Sequence, residues 1–127
     1  MLKPRYLGIW MDHSRANLME YSTKPIQTIT IECAFTHEVK EDVLEKSESM
    51  MLHKQKQLQS AYYKKLGEAI INYDHVILFG PTSAKVELLN LIKEDLHFTN
   101  IKIEVAGADK MTENQQHAFV RDHFSKN

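Results

Sequence analysis

The chain has 127 residues, 43% of them hydrophobic and 26% charged, and its 16 basic against 17 acidic side chains leave a net charge of -1. A chain of this length supports one packed core, and the even charge balance excludes a whole-surface nucleic-acid footprint, so any such footprint must be local. Cys33 is the only cysteine, which excludes an intramolecular disulfide and a cysteine-based zinc site. No apolar run has the length of a bilayer span or the form of a secretory leader. The expectation is a cytoplasmic protein of one domain over residues 1–127 with no membrane attachment.

In chain order, "RYLGIWMD" and "RANLMEY" flank "HS" and predict an antiparallel hairpin. A third strand is predicted in "PIQTITIEC", where Ile29, Ile31 and Cys33 alternate with Thr28, Thr30 and Glu32. Residues 36–49 carry five acids and two lysines with no apolar period and predict a solvated loop. A long helix is expected from about residue 51 to 72, because Leu58, Tyr62, Leu66 and Ile70 recur every four residues as one apolar stripe. "HVILFG" is almost wholly apolar, as a central strand covered on both faces requires. A second helix is predicted over residues 84–96, repeating Leu88, Leu89, Ile92 and Leu96, and "IKIEVAG" resumes strand alternation. Thr112 and Gln115 form a T-x-x-Q capping box for a last helix running through Phe119 and Val120 toward Phe124. The order βββαβαβα predicts an α/β, ribonuclease H-like fold: a mixed five-stranded sheet with helices on both faces. A flavodoxin-like sheet would need a helix between the first strands, where the spacing allows only turns.

Candidate chemistry concentrates at the turns. "GPTSAK" fails as a phosphate-binding P-loop, because it has one glycine, Pro81 offers no N–H, and Val86 stands where a magnesium-binding hydroxyl is needed. It offers instead a helix N-terminus opened by Thr82 or Ser83. The predicted topology places the carboxyl ends of the first, fourth and fifth strands on one sheet edge, where ligands of open α/β sheets bind. That edge gathers Asp12, His13 and Ser14 with Gly80 and Lys85, and with Asp109, Lys110 and Thr112. Asp12, Lys85 and Asp109 are expected to converge, with Lys85 facing a carboxylate, either as a ligand site or as an ion-pair and capping cluster.

A nuclease of the two-metal kind is not expected. The central strand ends in Phe79 and Gly80 where a second carboxylate is needed, and no acid occurs between Met50 and Gly67. The seven histidines form no H-x-x-x-H or H-E-x-x-H pair, so no metal is assigned and surface or boundary positions are expected for them. The local charge signal lies in "MMLHKQKQLQSAYYKK", where His53, Lys54, Lys56, Lys64 and Lys65 accompany Tyr62 and Tyr63 without an acid. Such a stripe tracks a phosphate backbone or is a solvated helix face with Tyr62 in the core.

The combination of "GIWMDHSRA", "ILFGPTSAKVELLNLI" and "AGADKMTENQQHAFVRDHF" resembles the small bacterial release-factor-like proteins, also termed host-attachment proteins. These are similar to the central domain of the archaeal and eukaryotic class-1 peptide release factor and of Pelota. The resemblance covers nearly the whole chain and implies the ribonuclease H-like fold of translational machinery components. In release factors the loop before the long helix carries a Gly-Gly-Gln tip that positions water on the peptidyl ester. The corresponding segment here, "EKSESMMLHKQKQLQ", offers Gln55, Gln57 and Gln59 but no glycine, and without Gly-Gly the permissive turn is lost. Pelota-like central domains also lack the tip and bind ribosomes. The resemblance therefore implies a non-catalytic factor of rescue, stalling or dormancy, bound to the ribosome or structured RNA and needing no cofactor. Two other readings stay open: a small-molecule or metal-dependent hydrolytic site around Asp12, Lys85 and Asp109, and a protein-interaction module using residues 36–49. A homodimer is compatible with either.

Overall fold

The computed structural model describes residues 3–22, 24–34 and 48–125. Strand β1 (Tyr6–Met11) turns into β2 (Arg15–Glu20) because the Asp12 carboxylate accepts the backbone N–H groups of Ser14 and Arg15 at 2.7 and 2.8 Å. An aspartate closing a turn through its own side chain is the reason this residue type recurs in tight turns. Strand β3 (Thr28–Glu32) pairs antiparallel with β2 at the edge of the sheet. Its expected alternation holds at Ile31 and Cys33, which reach the core, but Ile29 is 68% exposed because the cover ends before it.

Helix α1 (Glu48–Ile70) starts slightly earlier than predicted, so Glu48 and Ser49 are helical and not part of the acidic loop. The rest of that loop, residues 36–47, lies outside the described residues. After β4 (His75–Gly80), helix α2 (Ala84–Ile92) stops before the predicted residue 96. Asp95 accepts the His97 N–H at 2.9 Å and starts a 3-10 turn over Leu96–Phe98, which turns Leu96 out to solvent. Strand β5 (Lys102–Gly107) leads into α3 (Glu113–Ser125), whose capping box forms as expected. The Thr112 N–H donates to Gln115 Oε1 at 2.9 Å and the Gln115 N–H to Thr112 Oγ1 at 3.2 Å, satisfying two donors of the first turn.

The strands form one mixed sheet in the order β3-β2-β1-β4-β5, antiparallel through β1, β2 and β3 and parallel through β1, β4 and β5. This is the predicted five-stranded, ribonuclease H-like arrangement. Alternate residues of each strand face opposite layers. On one face Leu7, Ile9, Val76 and Leu78 pack against Tyr62, Leu66 and Ile70 of α1 and Ala84 and Leu88 of α2. On the other, Trp10, Met19, Ile77 and Phe79 pack against Val120 and Phe124 of α3. Helix α3 lies directly on β1 at Gly8, where a Cβ would come within 2.3 Å of Val120 Cγ2. No helix among the described residues is long and apolar enough to cross a membrane.

Candidate functional site

The apolar stripe of α1 determines what its other face can do. Tyr62, Leu66 and Ile70 are buried, so the opposite side of the helix is turned to solvent. His53, Lys54, Lys56, Lys64 and Lys65 are all exposed, spread over the half of the helix turned away from the sheet. From Lys54 to Lys65 the ladder spans roughly 16 Å at 1.5 Å per residue. The interleaved tyrosines are not part of this surface. Tyr62 is 1% exposed and donates its hydroxyl to the Asp12 carbonyl at 2.9 Å, and Tyr63 is 5% exposed and donates to Glu87 Oε1 at 2.8 Å. Burial raises both phenols, and their rings are withheld from stacking on a ligand. Gln55 and Gln57 sit exposed within the helix, and Gln59 donates to the His13 carbonyl at 3.1 Å, so these glutamines occupy regular helix and no loop tip. A groove of about 400 Å³ beside this face, between α1 and α2, is lined by Tyr63, Lys64, Gly67, Leu91 and Phe98.

The parallel register of β1, β4 and β5 does bring their carboxyl ends to one edge. Among the described residues no ion pair links Asp12, Lys85 and Asp109 there. Asp12 is spent on its own turn. Lys85 is buried, and its amine donates to the Thr82 carbonyl at the start of α2; among the described residues it forms no ion pair with a carboxylate. Lys85 therefore finishes the turn. Thr82 Oγ1 also accepts the Ala84 N–H at 3.2 Å, whereas Ser83 occupies the cap position without a side-chain cap. Asp109 and Lys110 are exposed in the approach to α3, and Thr112 caps that helix. Gly80 is required by its backbone: its φ is +151°, and a Cβ would lie 2.1 Å from the Met11 carbonyl oxygen.

What forms at the edge instead is a hub on Glu87. His13 Nε2 lies 3.0 Å from Glu87 Oε2, Ser83 donates to the same oxygen at 3.0 Å, and Tyr63 donates to the other. Ser14 stays outside the hub, exposed in the hairpin turn. The His13 contact, aided by Tyr63 and Ser83 and opposed by partial burial, holds the Glu87 carboxyl below the usual carboxylate range. An acid in the first turn of a helix is a visible sequence signal. Its partners His13 and Tyr63 were not visible, since they lie 74 and 24 residues away.

A second cluster unites residues that the sequence did not single out as a site. His75 opens β4, Glu104 projects from β5 and His123 lies near the end of α3. Glu104 Oε2 is 2.5 Å from His75 Nε2 and 2.7 Å from His123 Nε2. His75 is 7% exposed, a correction to the surface or boundary position expected of it. The His75 contact leads the effects that hold Glu104 below its ordinary range, with burial opposing and His123 assisting.

No protein-family model matches the sequence, and no curated protein does. Solved structures with this fold do exist. The chain is similar to Pelota of Archaeoglobus fulgidus at a TM-score of 0.61 and 9% identity, over 96% of this chain and 32% of that one. For Pelota of Thermoplasma acidophilum the values are 0.57 and 14%, over 98% and 32%. For the archaeal translation termination factor aRF1 they are 0.54 and 14%, over 96% and 39%. The chain thus spans about a third of the length of these proteins. At such identities the likeness is one of fold, and the fold is that of a segment of Pelota and aRF1.

Proposed function

We propose that this protein is a non-catalytic translation-related factor that docks on the ribosome or on structured RNA through the outward face of α1, in a rescue, stalling or dormancy role. The observation that carries the reading is the exposure of His53, Lys54, Lys56, Lys64 and Lys65 over the half of the helix turned away from its buried stripe. Phosphate contacts from such a ladder add affinity without reading sequence. With Tyr62 and Tyr63 buried, the contact is electrostatic and not a stacking platform. The fold shared with a translation termination factor supports the setting. The helical placement of Gln55 and Gln57 supports a role without peptidyl-ester chemistry.

Co-sedimentation of the purified protein with bacterial ribosomes at low and moderate salt tests the reading. Wild type is expected to bind at low salt and to dissociate steeply as salt rises. The double variant Lys54→Glu, Lys56→Glu is expected to bind at least roughly tenfold more weakly, because two favourable phosphate contacts become repulsive. Unchanged co-sedimentation of a folded double variant removes the α1 face from consideration, and no binding by wild type at either salt removes the ribosomal reading.

A further inference from the structure

From the arrangement of His75, Glu104 and His123 we infer a binding site for a divalent transition-metal ion, with zinc the ion that best suits the donors. The inference goes beyond the translation reading and is independent of α1. Three features of the cluster carry it.

The first is convergence. Both imidazoles direct Nε2 at the same carboxylate oxygen, and the three candidate ligand atoms lie within 4.8 Å of one another. With metal–ligand bonds of about 2.0–2.1 Å, ligand atoms of a tetrahedral site stand about 3.3 Å apart. The carboxylate, now at 2.5 and 2.7 Å from the two nitrogens, needs to withdraw by less than about 1 Å to admit an ion between them.

The second is rigidity. The donors come from two adjacent strands and the helix packed over them. His75 pairs in register with Lys102, which places Glu104 one pleat further along the same face of β5. Aromatic rings restrict both imidazoles. Tyr6 and Phe124 stand edge-on to His75 with centroids 5.8 and 5.1 Å away, and Phe119 lies parallel to His123 at 6.3 Å. Ligands held on strands and helices by packed neighbours are more precisely placed than ligands on loops.

The third is charge. Among the described residues Glu104 forms its ion pairs with the two histidines and none with a lysine or arginine. A half-buried carboxylate with two imidazoles is a donor set of two nitrogens and one oxygen, which suits zinc and related d-block ions better than magnesium or calcium. Glu104 and His123 are only half-buried, so a water can complete the set, as in three-ligand zinc centres. The ion would also tie the end of α3 to β4 and β5.

The test uses the full chain, stripped with a chelator and dialysed. Zinc is titrated calorimetrically, and cobalt(II) serves as a spectroscopic probe of coordination. Glu104→Gln and His123→Gln alter half-buried positions and are checked for native circular dichroism, so the test does not depend on a change at buried His75. The expected result is one zinc ion per chain and visible cobalt d–d bands of a tetrahedral site. Each variant should lose at least about tenfold in zinc affinity, the lower end of what even outer-shell changes cost at metal sites. Saturable binding absent from wild type, or an affinity equal in wild type and both variants, overturns the inference; the latter result places the ion on other histidines.

Discussion

At Gly80 the backbone conformation and the closeness of Met11 act together, and a side chain meets both at once. Gly80→Ala is expected to destabilise by at least about 2 kcal/mol, from an unfavourable φ and a contact that only backbone movement relieves. Gly107, its partner in the β4–β5 register, has open space for about 4 Å around where a Cβ would stand. Gly107→Ala is therefore expected to change stability by less than about 1 kcal/mol, in the stabilising direction, through the unfolded chain. Urea midpoints of the two variants make the comparison, and equal losses would show that the approach to Met11 is not limiting. Glu87 invites a second test. Its folded pKa lies below the unfolded 4.5, so the unfolded state takes up protons first as the solution is acidified. The hub's contribution is thus present above 4.5 and lost as pH falls through the lower folded value. The stability gap between wild type and Glu87→Gln should narrow on acidification below that point; a gap independent of pH would show that charge on Glu87 contributes nothing. Of these residues, Gly80 was legible as part of a tight turn, whereas the role of Glu87 was not, because His13 and Tyr63 come from distant segments.

Helix α1 divides stability and binding between its faces. Leu66 is fully buried between sheet and helix, and Leu66→Ala is expected to destabilise by about 2–5 kcal/mol, the range for a core leucine that leaves a cavity. The neighbouring exposed Lys65→Ala is expected to stay within about 0.5 kcal/mol while weakening RNA or ribosome binding. Chemical denaturation alongside co-sedimentation separates the two; a large stability loss at Lys65 would assign the lysine face to folding instead of binding. The four-residue period made this helix readable, and the same local chemistry revealed the cap of α3 at Thr112 and Gln115. The apolar period overruns the end of α2, because Leu96 continues it numerically. Asp95 competes for the backbone there and starts a new turn, which no periodicity registers.

For the whole molecule, a net charge of -1 confines any RNA contact to a local surface. Four lysines and one histidine on α1 limit the electrostatics. The slope of log affinity against log salt should be no steeper than about -4.5, since each neutralised phosphate contributes about 0.7–0.9. A steeper slope in the co-sedimentation series would require cations beyond α1. The sequence by itself determined the order of the elements, the buried stripe and lysine face of α1, the capping box, the failure of the P-loop and the lack of a Gly-Gly tip. Each of these depends on neighbours within a few positions, through helical period, strand alternation or turn chemistry. Only the tertiary structure decided that Tyr63 and His13 meet Glu87, and that His75, Glu104 and His123 share one oxygen. Those meetings depend on strand register and on how closely α3 settles onto β1 at Gly8, quantities set by packing across the sheet and carried by no local stretch of the chain.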